Sequence, residues 1–345
     1  FMMNKVGIIG SGSFGITISS LIASNCDVLI YSRNPKTRAS INVDHFLKNT
    51  KLSKRIIAVD DMAMICKECQ LIFPVVPSSA FRSMMKDLSK YLTPSHILIH
   101  ATKGLDYGDK TIADLEKASF VRSDIHTMSE VIQQECSVVR VGCLSGPNLA
   151  REILDGKPAA TVISSAFDEV INKGKKALAS NRFFVFGSHD VTGAELAGAF
   201  KNIIAIASGI LGGLNMGKNL QALLITRGLR EMIQFGSSMG ASANSFLGSA
   251  GIGDLIATAT STNSRNYTFG TRLAAGEPLQ EILDTSDEII EGLRTLMIIH
   301  RLAETENIKL PITETLYRAI YEGRDIKESI SWLMSYPTAP DVDFI

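Results

Sequence analysis

Lys201 is the one charge in a nineteen-residue apolar stretch from Leu196 to Leu214. A lysine there loses hydration, so it must reach solvent, find a carboxylate, or shed its proton. At helical spacing its own face carries Ala194, Ala197, Gly198, Ala205, Ser208 and Gly212, while Phe200, Ile203, Ile206 and Ile210 lie elsewhere on the circumference. Small residues beside a cation leave room for a second helix or a small ligand. A membrane span and a helix-packing seam are the competing readings. Five glycines between 198 and 217, a central Lys-Asn pair and no flanking basic cluster weigh against the span. Other groups with chemistry to offer follow later in the chain. Ser264-Arg265-Asn266 combines a guanidinium fork with hydroxyl and amide donors, suited either to an anion or to a surface turn. Asp254, after Gly251-Ile252-Gly253, is a carboxylate that either caps a helix or sits beside a charge. Lys103 follows a short apolar run, at the kind of strand end where ligands bind.

The elements that must position these groups fall into two patterns. Val6 to Ile9 is a short apolar run that enters Gly10-Ser11-Gly12-Ser13-Phe14-Gly15 and then a helical pattern from Ile16 to Ala23. Strand, G-x-G-x-x-G and helix is the order a dinucleotide turn requires: Gly10 for the tight turn, Gly12 for approach of a pyrophosphate, Gly15 for helix-strand packing. The next strand, Asp27 to Tyr31, ends in Ser32-Arg33, where an NAD-specific site would place an acid on the adenosine ribose. With Arg33 there and no carboxylate, NADP is favoured or accepted beside NAD. Further strand patterns at Ile56–Val59, Leu71–Phe73, Ile97–His100, Val138–Leu144, Ala160–Ser164 and Phe183–Phe186 alternate with helical ones. The fold class is therefore α/β, a Rossmann-like, doubly wound, mostly parallel sheet over residues 1–189. Pro74 and Pro77 should stop the fourth strand early. The polar segment between Lys103 and Ser145, with Asp109, Asp114, Glu116, Lys117, Arg122 and Asp124, reads as surface helix without chemistry. From residue 190 to 345 strand signals vanish, and long helical patterns punctuated by glycine indicate a second, all-helical domain.

Composition excludes several classes. Lys plus Arg equals Asp plus Glu at 35 each, so no bulk field draws nucleic acid or an anionic membrane, and any anion must be caught locally. Five cysteines and no recognisable signal peptide suit free thiols in a reducing cytoplasm. Cys66-Lys67-Glu68-Cys69 has redox or half-zinc spacing, but no second pair follows, and none of the six histidines lies at ligand spacing from another, so no metal site is expected.

Nine ordered stretches, including Gly10–Gly15, Val76-Pro77-Ser78, Ala101-Thr102-Lys103-Gly104, Ser145-Gly146-Pro147, Gly198–Asn202, Ile225–Gly228, Gly251–Leu255, Ser264-Arg265-Asn266 and Glu291-Gly292, make the chain resemble the bacterial-type NAD(P)-dependent sn-glycerol-3-phosphate dehydrogenases from about Lys5 to Tyr321. The resemblance implies reduction of dihydroxyacetone phosphate to sn-glycerol 3-phosphate for glycerophospholipid synthesis. It casts Lys201 as the proton-transfer residue and Lys103, Gly146, Asn148, Asp254, Ser264, Arg265 and Asn266 as substrate contacts. It assigns the cofactor to Gly10, Gly12, Ser13, Phe14, Gly15, Arg33, Lys103, Ala150, Arg265, Ile289 and Glu291. Asn148 departs from the family's usual Thr or Ser. A homodimer in the cytoplasm is the corresponding expectation, with a small phosphorylated molecule as partner, no nucleic acid and no membrane span. The chemistry agrees: hydride addition to a ketone develops negative charge on oxygen, which an ammonium can stabilise and protonate. Two rivals remain: a Rossmann-plus-helical dehydrogenase of a hydroxy or sugar acid, and a non-catalytic NADP-sensing protein.

Overall fold

The computed structural model describes residues 5–108 and 120–335. Asp109, Asp114, Glu116 and Lys117 lie outside the described residues. The chain forms two compact units. Within the described residues the first comprises 5–106 and 127–191, the second 107–108, 120–126 and 192–335.

The first unit is built on β1 (Lys5–Ile9), β2 (Asp27–Tyr31), β5 (Ile56–Val59), β6 (Leu71–Pro74), β7 (Ile97–His100), β8 (Arg140–Ser145), β9 (Ala159–Ser165) and β10 (Phe183–Ser188). A separate two-stranded hairpin pairs β3 (Phe46–Leu47) with β4 (Thr50–Lys51). The large sheet runs β10-β9-β8-β7-β6-β1-β2-β5 and is parallel except between β8 and β9. It is Rossmann-like, as the sequence pattern indicated. Successive strand residues point to opposite faces, and both faces are covered. Val6, Ile8, Val28 and Ile30 pack with Ile16, Ile18 and Ile22 of the helix Ser13–Ile22. Ile9, Leu29 and Ile72 pack on the other face with Phe81, Met84 and Met85.

Pro74 does end β6, pairing with Ile9 as the last strand residue. Its missing N–H leaves the ladder whole, because Val75 N–H donates to the Ile9 carbonyl at 2.8 Å. The helix Met128–Glu135 differs from the expected surface helix. Met128, Val131 and Ile132 are fully buried in the second core cluster, so this helix covers the sheet. Cys66 and Cys69 are free and buried, and burial pushes their thiols up to about 11 and about 12. A thiol so held is a poor thiolate and an inert core residue.

The second unit is helical. Its long helix, Val191–Gly213, is the one described helix apolar and long enough to cross a membrane, and 89% of its most apolar 18-residue window is buried inside the protein. A helix apolar all round is a core helix when others surround it. Its glycines admit the helix Arg265–Ala274: a Cβ on Gly209 would stand 2.0 Å from the Tyr267 carbonyl oxygen, and one on Gly212 would stand 2.2 Å from the Tyr267 hydroxyl. The reverse holds at Gly270, where a Cβ would meet the Ile206 oxygen at 2.1 Å. Of the two occupants the small residues left open, a second helix or a ligand, the structure places a helix at these positions. Part of the segment placed in the first domain by chain order groups with this unit. Arg294 lies 4.3 Å over the Tyr107 ring and donates to its hydroxyl at 2.9 Å, and Phe120 is fully buried.

One buried carboxylate organises the end of this unit. Glu231 accepts from the Ile312 N–H at 2.5 Å and from the Thr313 N–H and hydroxyl at 3.1 and 2.8 Å. These groups open the helix Pro311–Tyr321, which has no side-chain cap of its own. Glu231 thus satisfies donors that a helix start leaves without partners. Burial pushes its carboxyl up to about 7 against those hydrogen bonds.

Candidate active site

In the first unit the site begins where β1 meets its helix. The strand order reverses between β1 and β6, the switch point at which open α/β sheets bind ligands. Gly10 has φ +121, and a Cβ there would stand 2.2 Å from the Val75 oxygen beyond β6. Gly15 is equally constrained, since its Cβ would stand 2.0 Å from the Gly10 oxygen. Gly12 is different: nothing lies within 4 Å of the position its Cβ would take. Gly10 and Gly15 therefore shape the turn, while Gly12 keeps a space above it. Ser13 and Phe14 open the helix, which has no side-chain cap and no acid in its first turn. Its N–H groups are arranged for an anion.

The turn is tied to the end of β2 by a 3.0 Å hydrogen bond from Ser11 Oγ to Ser32 Oγ. Ser32 is buried and Arg33 is exposed beyond it. Arg38 holds this corner: Nη1 donates to the carbonyls of Ser32 and Arg33 at 2.9 and 3.0 Å, and Nη2 pairs with Asp60 at 2.8 Å. Sequence reasoning missed Arg38, which carries no motif and acts through backbone oxygens. At the strand ends further along, Lys103 Nζ donates to the Gly146 carbonyl at 3.0 Å, joining two of the candidate residues. Asn148 has both ends of its amide engaged with β9, to the Ala160 oxygen at 2.9 Å and from the Thr161 hydroxyl at 2.8 Å. Its side chain secures the loop after β8. Ala150 begins the short helix Ala150–Leu154 behind that loop.

In the second unit Lys201 finds its carboxylate. Its ammonium donates to Asp254 Oδ1 and, at 2.6 Å, to the Thr258 hydroxyl, which in turn donates to Asp254 Oδ1 at 3.3 Å. Lys201, Asp254 and Thr258 are 5%, 1% and 4% exposed, so the charge pair is desolvated and compensated by hydrogen bonds. Asp254 is the first residue of the helix Asp254–Ala259, and its side chain serves the lysine. Thr258 was missed, although its place four residues after Asp254 puts both on one helix face.

The remaining candidates gather at two helix starts in the same unit. Ser264 caps the helix Arg265–Ala274, accepting from the Tyr267 N–H at 3.3 Å. Asn266 bridges elements, donating to Asn202 Oδ1 at 3.0 Å and accepting the Gly292 N–H at 3.0 Å. Gly292 follows Glu291, which starts the helix Glu291–Thr305, and Ile289 is exposed just before it. Arg265 is half exposed and ion-paired with Glu288. The set named from sequence thus falls into two units: the glycine turn, Arg33, Lys103 and Gly146 in the first, and the buried Lys201-Asp254 pair with the Ser264–Asn266 corner in the second.

A nucleotide-binding α/β unit and a helical unit carrying a buried Lys-Asp pair define the class of dinucleotide-dependent dehydrogenases with a separate helical domain. Comparison with known proteins is more specific. The chain matches the NAD-dependent glycerol-3-phosphate dehydrogenase N-terminus over residues 5–171 and the NAD-dependent glycerol-3-phosphate dehydrogenase C-terminus over 190–331. It is 36% identical over 346 residues to the glycerol-3-phosphate dehydrogenase [NAD(P)+] of Acinetobacter baylyi, covering 99% of this chain and 92% of that one. Against the enzyme of that name from Staphylococcus aureus it is also 36% identical, covering 96% and 98%. The crystal structure of glycerol-3-phosphate dehydrogenase from Coxiella burnetii superposes with a TM-score of 0.87 at 29% identity, covering 97% of this chain and all of that one. The chain belongs to the NAD-dependent glycerol-3-phosphate dehydrogenase family.

Proposed function

We propose that the protein interconverts dihydroxyacetone phosphate and sn-glycerol 3-phosphate with NADPH or NADH, supplying glycerophospholipid synthesis. The observation that carries the chemistry is the buried Lys201 ammonium held by Asp254 and Thr258. The glycine turn fits a dinucleotide, because the open space at Gly12 and the uncapped helix start suit a pyrophosphate. Gly10, Gly12, Ser13, Phe14, Gly15 and Ala150 hold it, and the family resemblance assigns Ile289 and Glu291 to the cofactor as well. When bound, the nicotinamide supplies or accepts the hydride.

The chain's own residues do the rest. Lys201 stabilises the negative charge that develops on the ketone oxygen and gives it a proton; in the reverse direction it takes that proton back. Asp254 compensates the ammonium and, with Thr258, fixes its direction. Arg265, with donors from Ser264 and Asn266, binds the substrate phosphate, and the family resemblance assigns Lys103 and Gly146 to the substrate as well. Asn148 contributes by tying the loop after β8 to β9. Arg33 receives a 2′-phosphate, which supports NADPH as the better cofactor.

Five free cysteines suit a reducing cytoplasm, and the family resemblance supports a homodimer, which light scattering of the purified protein tests. The decisive measurement is NADPH oxidation with dihydroxyacetone phosphate as oxidant: rapid turnover is expected. Turnover only with a hydroxy or sugar acid and the oxidised cofactor would overturn the assignment.

A further inference from the structure

The β3–β4 hairpin takes no part in the large sheet, yet it is firmly placed. Asn42 exchanges two hydrogen bonds with Ala58 on the outer strand β5, at 2.9 and 2.7 Å, and Leu52 N–H closes the hairpin base onto the His45 oxygen at 2.7 Å. Its two connecting residues, Lys48 and Asn49, have φ 50 and 59. Both are left-handed, as a type I′ turn demands. Asparagine tolerates that region, but a lysine is strained in it, and such strain recurs at ligand clamps.

What the strained lysine reaches is specific. Lys48 Nζ donates to Ser13 Oγ at 2.9 Å. Ser13 is the first residue of the helix after the glycine turn, beside the open space at Gly12. The ammonium therefore stands at the positive end of a helix that has neither an acidic first turn nor a side-chain cap. A cation held at that point adds its attraction to that of the helix N–H groups for an anion seated on the turn.

We propose that Lys48 is a pyrophosphate contact for the bound dinucleotide, delivered by the hairpin to the side of the turn opposite the helix N–H groups. This inference rests on the dinucleotide reading of the first unit. It separates two cations in function. Arg33 distinguishes NADPH from NADH, whereas Lys48 acts on the pyrophosphate that both share and strengthens both alike.

Lys48→Gly is the informative variant, since glycine suits φ 50 and removes the side chain with its ammonium. NADPH and NADH are titrated by nicotinamide fluorescence, and ADP-ribose by calorimetry, on wild type, Lys48→Gly, Lys48→Arg and the hairpin control Lys51→Ala. Lys48→Gly should bind all three about tenfold more weakly. Its Tm should be unchanged or higher, and its affinity should depend less steeply on salt. Lys48→Arg should restore most of the affinity, and Lys51→Ala should match wild type. Unchanged affinity in Lys48→Gly would overturn the inference, as would a loss confined to NADPH, which would put the cation at the 2′-phosphate. Failure of the wild-type protein to bind either cofactor would remove the dinucleotide reading itself, and Lys48 with it.

Discussion

The glycine turn of the first unit and the lysine cluster of the second are built from opposite materials. The turn is backbone: glycines, helix N–H groups and a hydroxyl, all within residues 10–15. The cluster is side chains: a cation, a carboxylate and a hydroxyl brought together across 53 and 57 residues of chain and taken out of water. A backbone site needs the absence of side chains, so its demands appear as adjacent residues that can be read in order. A side-chain site in a core needs partners of matched charge, and only packing decides which partners meet. The two sites should therefore fail differently when altered.

The largest effect should come from the side-chain site. Lys201→Ala should lower kcat by about 10²- to 10⁴-fold, the range for a lost general acid, while NADPH affinity measured by fluorescence stays close to wild type. The variant also leaves Asp254 buried without its cation, at a cost of about 3–5 kcal/mol. Combining Lys201→Met with Asp254→Asn should recover stability in denaturant titrations without recovering turnover. Wild-type kcat in any of these proteins would remove Lys201 from the chemistry.

The backbone site divides by glycine. Gly10→Ala combines a forbidden φ with overlap against the Val75 oxygen, and should destabilise the fold by about 3 kcal/mol or more. Gly12→Ala meets no protein atom, so its stability should stay within about 1 kcal/mol of wild type while cofactor affinity falls. Equal loss of stability in both variants would erase the distinction between a glycine that shapes the turn and one that leaves space for a ligand.

Glu231 extends the comparison to a buried carboxylate that has helix N–H donors in place of a cation. Its folded-state value, near 7, lies above an unfolded value near 4.5, so the folded protein binds the extra proton. Stability from this group is full below about pH 4.5 and is lost as pH rises to about 7, a change of about 3 kcal/mol. Urea midpoints across that window should show the slope in wild type and lose it in Glu231→Gln. The smallest effect expected is at the exposed Arg33. Arg33→Ala should weaken NADPH about tenfold and leave NADH nearly unchanged; equal losses would place the guanidinium elsewhere than at a 2′-phosphate.

Much of the fold was legible because buried parallel strands are continuous apolar runs. Asp27–Tyr31, Ile56–Val59 and Ile97–His100 form the strands their residues indicate. The hairpin was not legible. Its strands are two residues each, and its turn is Lys-Asn where the usual cue is Asn-Gly. Nor does the antiparallel setting of β9 against β8 leave a mark on its apolar pattern. Among site residues, Lys201 stood out because it is the one charge in its apolar run. Thr258, Arg38 and Lys48 did not, since a hydroxyl on a helix or a cation near a loop has many uses.

The long helix shows the division most clearly. Its composition alone established that Lys201 lies in an apolar helix, needs compensation, and has small residues on its face, because hydration and helical period are local properties. Tertiary structure decided that the compensation is Asp254 with Thr258, and that Gly209 and Gly212 receive Tyr267 of a second helix. A glycine in a sequence declares only that space is available. Which neighbour fills that space is settled by the packing of the whole core.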